Sequence, residues 1–523
     1  MVMARLTWGC GARRKVVGAS PPARTPHRRR VNADAGSTGI FTVTGSGGSC
    51  TSAATCTGGS ISGKTGSSEA TGTPGVRLFN VTNFRLTRVN ISGNNNSGIY
   101  GGLVANPSGA IDPSLINGFQ LDNCRIAGNG DTNTSNPDET GVLLYNLVGS
   151  AAAGSNPTSI TNTTIANNFE FELQITNDTA TALTNLQMSG NAISADGNQL
   201  NHGNLFNFLA IGAATTNMTL NLTSGSFTGN TDTSGGKIIT ATGAQCDHSG
   251  SGGTVTCNIS GVTYTNNNVG PQGSVAVNGN VVIDFNGNTV TGNRSHGINV
   301  FADANAPFTK TLTGRIRNNI VGTLGTAGSG SSVGFPIRVQ NEGRIPMTLA
   351  ITGNTVQEST SFTGINVSMS ITTVAGSAAT NVTITGNTIR EIDSGRVIAV
   401  QQNDHLPAGG NAGTVCADIS GNVISNVAGQ AGDGTYIRLR RSDNSVTKVF
   451  NVRQLTPTAA ANVNELDDAN GFNNPALVSI GGTPTFNAGT CTQPSNFAPP
   501  IETDEQLQLR QQSGHDAAKD QYQ

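Results

Sequence analysis

The chain has 523 residues, a formal net charge of −2, 11% charged residues and 35% hydrophobic ones. So even a balance gives no electrostatic footing for nucleic acid or an anionic membrane as partner of the whole chain, and the scarcity of charge is unlike that of disordered chains. Asn, Thr, Ser and the 68 glycines fill the gap; they are poor helix formers but suit strands and tight turns, so the composition predicts many short strands joined by sharp corners.

Residues 1–38 read as a basic, disordered leader. Arg5, Arg13, Arg14, Lys15, Arg24, Arg28, Arg29 and Arg30 crowd it, and no apolar segment of a secretory signal follows them. The leader is expected to be the join to a larger precursor or to neighbouring repeat modules. No later stretch approaches the roughly 18 apolar residues that a membrane-spanning helix needs.

From Gly39 a strand ending in Gly-Asn or Asn-Asn recurs. It begins clearly at Ile91-Ser92-Gly93-Asn94, passes through Asn129, Asn168, Asn191, Asn230, Asn293, Asn319, Asn354 and Asn387, and ends at Ile419-Ser420-Gly421-Asn422. Between Asn319 and Asn422 the steps are 35, 33 and 35 residues. One period holds three strands: Asn381–Thr385 turns at Gly386-Asn387, Thr388–Ile392 turns at Asp393-Ser394-Gly395, and Arg396–Val400 follows. Each period has too few apolar side chains for a core, but stacking at ~4.8 Å would complete one. The fold expected over 39–445 is therefore all-β: a single-stranded right-handed parallel β-helix, a solenoid of roughly ten or more coils. Its repeated asparagines are expected to occupy left-handed corners and to bond to one another as a ladder.

At the ends, Gly39–Thr44 and the Cys50–Cys56 loop are expected to form the first rung. Residues 446–501, with Val449–Val452 and Leu477–Ile480, are expected to cap the last coil, and 502–523 to be a flexible tail. The eight cysteines sort by position. Cys50/Cys56 and Cys246/Cys257 are close pairs, Cys10 lies in the leader, and Cys124 is embedded in a strand, which leaves Cys416 to pair with Cys491. Three disulfides need an oxidising compartment, so a secreted or cell-surface location is expected.

The stretches "TPGVRLFNVTNFRLTRVNISGNNNSGIYG", "LTGRIRNNIVGTLGTAGSGSS", "NVTITGNTI…GRVIAV" and "VCADISGNVIS…YIRLR" resemble the pectate-lyase-like superfamily of right-handed parallel β-helices. More narrowly, they resemble the large Gly/Asn/Thr-rich β-strand-repeat surface proteins that bacteria export. The resemblance covers roughly residues 39–500 and implies export. It also implies a search for a polysaccharide-cleaving site, because many proteins of this fold are lyases or hydrolases.

The hydrolases of that superfamily carry Asn-Thr-Asp, Asp-Asp, Gly-His-Gly and Arg-Ile-Lys in that order. Here Asn230-Thr231-Asp232, Ser295-His296-Gly297 and Arg315-Ile316-Arg317 keep the order, but no Asp-Asp lies between the first two; Asp467-Asp468 is far downstream. Glycoside hydrolysis needs two carboxyl groups, and Asp247 and Asp284 stand in no matching motif. Asp232, His296, Arg315 and Arg317 are thus the candidate catalytic residues. A lyase would want a basic stripe beside acidic calcium ligands; Arg315, Arg317, Arg338, Arg390, Arg396, Arg438 and Arg440 could supply the stripe, without the acids. The six histidines have no metal-ligand spacing, and neither a metal nor a cofactor is expected. The expected function is that of an exported structural or adhesive surface protein touching glycans or cell-surface polymers. The alternative is a polysaccharide lyase or glycoside hydrolase. Ice binding through Thr-x-Thr pairs such as Thr383/Thr385 is weaker, since neighbouring periods do not repeat that pair.

Overall fold

The computed structural model describes most residues between 31 and 494. The larger breaks are 34–40, 65–73, 131–138, 150–155, 196–203, 231–240, 370–378, 403–412, 426–434, 442–448 and 454–465. Residues 1–30 and 495–523, and with them most of the leader and all of the tail, lie outside the described residues.

The chain folds as a right-handed parallel β-helix. Each coil adds one strand to each of three faces, named here in the order in which the chain meets them. Within one turn, Ile365–Met369 lies on the first face, Ala379–Thr385 on the second and Thr388–Ile392 on the third. The next turn starts at Ile398–Gln402, paired in parallel with Ile365–Met369. The first face holds fourteen strands, from Val31–Ala33 to Val478–Gly481. At about 4.8 Å per rung, that makes a rod on the order of 60 Å long.

Alternation explains why the coils stack. In Asn381–Thr385, Val382 and Ile384 point inward, and so do Ile389 and Ile392 on the next face; all four belong to one buried apolar column. The column changes character along the rod. Phe41, Phe84 and Phe119 stack at 5.4 and 5.7 Å on successive rungs of the second face. Phe206, Phe227 and Tyr264 form a further stack, and the later coils are filled mostly by aliphatic side chains, with Phe285 and Phe450 among them.

The asparagine series read from the sequence divides into two ladders at different corners. At the turn from second to third face, Asn288, Asn319, Asn354, Asn387, Asn422 and Asn470 stand in line. The backbone N–H and Nδ2 of each donate to Oδ1 of the next. At the turn from third to first face, Asn94 and Asn129 donate in the same way to Asn129 and Asn168, and this ladder ends on the Glu172 carboxylate. It resumes where Asn230 N–H donates to Asn267 and Asn267 N–H to Asn293.

The expectation that these asparagines adopt the left-handed conformation is corrected. Except at Asn470, that conformation belongs to the residue before the asparagine, as at Gly353 and Gly386 (φ 64° and 65°). The preceding residue turns the backbone, which frees the asparagine side chain to point inward and bond along the rod.

The ends also differ from the expected boundaries. Val31–Ala33, inside the leader, already pairs with Val76–Leu78, and Phe41–Thr44 with Phe84–Thr87. In 446–501, the strands Val449–Arg453, Val478–Gly481 and Thr485–Asn487 continue the second, first and second faces in parallel. Phe450 and Val452 there keep the inward alternation of earlier rungs. Among the described residues, only Cys491–Pro494 turns back over the outside. Cys491 is bonded to Cys416 and Gln493 Nε2 donates to Thr383 Oγ1, so this strap crosses two rungs of the second face.

All three expected disulfides are present. Cys246 and Cys257 face the interior from the first and second faces of one coil, so their bond crosses the core. Cys124 is a buried free thiol whose pKa is pushed up to about 11 by burial; Cys10 lies outside the described residues.

Candidate functional site

The outward positions of the first face form the most organised polar surface on the rod. With Ile298, Val300 and Ala302 turned inward, Asn299 and Phe301 must face out. Parallel register then lines up Gln174, Asn207, Gln245, Gln272, Asn299, Arg338 and Asn366 on successive rungs. These side chains bond along the row. Asn299 Nδ2 donates to Gln272 Oε1 at 2.7 Å, and Arg338 Nη1 to Asn299 Oδ1 at 3.3 Å. Gln245 Nε2 donates to Ser274 Oγ at 3.4 Å, and Ser274 Oγ to Asp247 Oδ1 at 2.8 Å. Although they point outward, Asn207, Gln272, Asn299 and Asn366 are each at most a tenth exposed. The row is therefore nearly closed to solvent at these four positions and partly open at Gln174, Gln245 and Arg338.

One stretch of the first face carries charge. Asp247 aligns with Ser274, and Ser274 with Phe301. Burial pushes the Asp247 carboxyl up to about 6; the Ser274 hydroxyl opposes that shift and Asp303 adds to it. Asp303 and Glu342 follow the strands of adjacent rungs, with Glu342 N–H donating to Ala302 O. Burial raises the Glu342 pKa, Arg338 opposes the rise and Asp303 adds to it. Arg338 lies 5.8 Å from the centre of the Phe301 ring. A carboxyl holding its proton to about pH 6 can act as a general acid, and Asp303 is the nearest candidate for a second carboxylate.

Of the catalytic candidates read from the sequence, the described ones stand outside this row. Asp232 lies outside the described residues. His296 is buried at the corner between third and first faces, where its Nδ1 accepts from Phe335 N–H at 3.2 Å and its ring stacks on Phe335. Burial and then Arg338 push its pKa down to about 3, so it is neutral and structural at ordinary pH. Arg315 and Arg317 face out from the second face. Arg317 grips the nearly buried Asp284, with Nε–Oδ1 at 2.9 Å and Nη2–Oδ2 at 2.7 Å.

The arginine stripe is not formed either. Arg338, Arg438 and Arg440 stand on the first face, Arg315 and Arg317 on the second, Arg390 on the third. The third face does repeat Thr-x-Thr in register, at Thr263/Thr265 and Thr289/Thr291, but the next rung presents Ile320. Among the described residues no group of three or more His, Cys, Asp or Glu is placed to hold a metal ion.

Asp247 and the amide row escaped sequence reading because no motif marks them. Their signal is positional: polar residues alternating with apolar ones in strands that precede long connections.

These features define a class, a parallel β-helix solenoid with an in-register amide row on one face. No family model, curated protein or solved structure matches the chain. Among the described residues no helix is long and apolar enough to cross a membrane.

Proposed function

We propose that this chain is an exported structural rod that contacts glycans or cell-surface polymers along its first face. The observation that carries the reading is the in-register row from Gln174 to Asn366. Amides both donate and accept, and mutual bonding fixes these in place. A polymer lying along the axis would meet similar groups at every rung, and linked weak contacts gain from effective concentration. Three disulfides favour an oxidising compartment, and the resemblance to exported β-helix proteins of the pectate-lyase-like superfamily agrees with it. Larger precursors or neighbouring repeat modules fit the same picture.

Retention of the purified protein on a glycan array tests the reading. Binding should weaken about tenfold in a Gln272→Ala/Asn299→Ala double variant, given about 0.5–1.5 kcal/mol per hydrogen bond lost. No retention of the wild type on any glycan would overturn it.

The raised pKa of Asp247 beside Asp303 favours a second reading, a polysaccharide hydrolase. Turnover of polygalacturonate or alginate should then vanish in Asp247→Asn and decline as pH rises through about 6 and the acid loses its proton. Turnover that survives Asp247→Asn but not Asp232→Asn would move the chemistry elsewhere.

A further inference from the structure

The corner leading onto the first face carries an exposed aromatic step that the amide row does not explain. The rings of His296 and Phe335 stack at 5.8 Å, and those of Phe335 and Phe362 follow at 5.2 Å with a 55° tilt. The three come from successive coils, each shortly before its first-face strand at Ile298, Ile337 or Ile365. His296 is buried at the inner end, whereas Phe362 is 45% exposed at the outer end. The loop that presents Phe335 also carries Leu324 and Val333, 53% and 43% exposed.

The loop is not slack. Ser332 and Val333 N–H donate to Arg294 O on one side, Gly330 N–H donates to Glu358 O on the other, and Ser331 O accepts from Thr360 N–H. The step is thus a preorganised platform. Phe335 stands three residues before Arg338, and Phe362 four before Asn366, both of them members of the first-face row.

Four partly exposed apolar side chains cannot supply the ~800 Å² that a stable protein partner buries on each side. They do suit a narrow ligand that has apolar faces and polar edges. A pyranose ring is such an object, with C–H faces for an aromatic ring and hydroxyl edges for amides. Two rings tilted at 55° offer separate faces to separate sugar units.

We infer that Phe362 and Phe335 form a stacking subsite for pyranose rings of a neutral polysaccharide, which passes from this corner along the first face. The inference rests on the glycan-contact reading of the first face and adds to it the ligand class and the place of entry.

Affinity electrophoresis through gels containing soluble β-glucan, xylan, galactomannan or polygalacturonate tests it. The variants are Phe362→Ala, Phe335→Leu, Asn299→Ala and, as a remote apolar control, Leu183→Ser (Leu183 is 55% exposed), each first checked for an unchanged melting curve. Retardation of the wild type by a neutral polymer is expected, weakened about tenfold in Phe362→Ala, for a stacking contact of ~1 kcal/mol or more, and unchanged in Leu183→Ser. If Phe362→Ala and Phe335→Leu are retarded like the wild type while Asn299→Ala is not, the stacking subsite falls and the amide reading stands. Loss in the two phenylalanine variants with full retardation of Asn299→Ala supports the subsite and removes the amide row. Retardation by polygalacturonate alone overturns the subsite, and retardation by none of the polymers overturns both.

Discussion

Asn387 shows how much one inward amide does. Its Oδ1 accepts from the backbone N–H and Nδ2 of Asn354, and its own Nδ2 donates to Ile351 O and Asn422 Oδ1. Asn387→Ala leaves the Asn354 N–H buried without a partner and is expected to cost about 2–4 kcal/mol in urea unfolding. Asn387→Asp should be at least as damaging, because a carboxylate cannot donate to the Ile351 carbonyl. His296 gives a pH test. Folded His296 binds its proton only near pH 3, whereas an unfolded imidazole does so near ~6.5. Between those values the unfolded chain holds more protons, so stability falls as pH drops. Asp247 works the other way: its folded carboxyl keeps a proton up to about 6, so its contribution falls as pH rises from ~4 toward that value. Melting curves of His296→Phe between pH 4.5 and 7 should therefore lose less on acidification than those of the wild type.

At the scale of elements, the strap Cys491–Pro494 closes the end of the rod. It lies over the second face, where Thr383 and Asp418 face outward yet are buried, and Arg453 bonds Asp418 from the next rung at 2.6 Å. Loop closure over 75 residues is worth up to ~4 kcal/mol in the chain-entropy model, and real bridges often deliver less. In a solenoid each rung contacts only its neighbours, so the effect should stay local. The Cys416→Ser/Cys491→Ser variant is expected to exchange amide hydrogens faster over 449–487 and at the wild-type rate over 254–352. Faster exchange along the whole rod would contradict that picture. Alkylation of the denatured, unreduced chain should label Cys10 and Cys124 alone, and Cys124 should resist alkylation in the native state.

For the whole molecule, stacking makes the coil a unit that can be removed. Excising residues 354–386 takes out one full turn and leaves Gly353 followed by Asn387, with Asn387 in reach of Asn319. The product should fold, and small-angle scattering should show a rod shorter by about 5 Å. A single interior charge should do worse than the loss of a whole coil. Ile384→Asp places an unpaired carboxylate between Ile351 and Ile419 and is expected to cost more than about 4 kcal/mol.

The fold class was legible in the sequence because its signals are local and repeated. Alternation in Asn381–Thr385, the 33–35 residue steps and the Gly-Asn corners each act within a few residues, and every coil restates them. The Cys416–Cys491 bond was legible by counting. What the sequence could not separate was the corner to which each Gly-Asn belongs: the turns at Gly292-Asn293 and Gly386-Asn387 look alike in one dimension, and only strand register assigns Asn293 to one ladder and Asn387 to the other. The candidate site was hidden for the same reason. His296 read as catalytic because it stood in a motif-like triplet, yet packing against Phe335 made it structural. Asp247, Ser274, Asn299 and Arg338 lie up to 91 residues apart in sequence and became one surface only when parallel stacking brought their strands into register. Local propensity determined the rungs; long-range register and burial decided which side chains meet, and so where the rod can act.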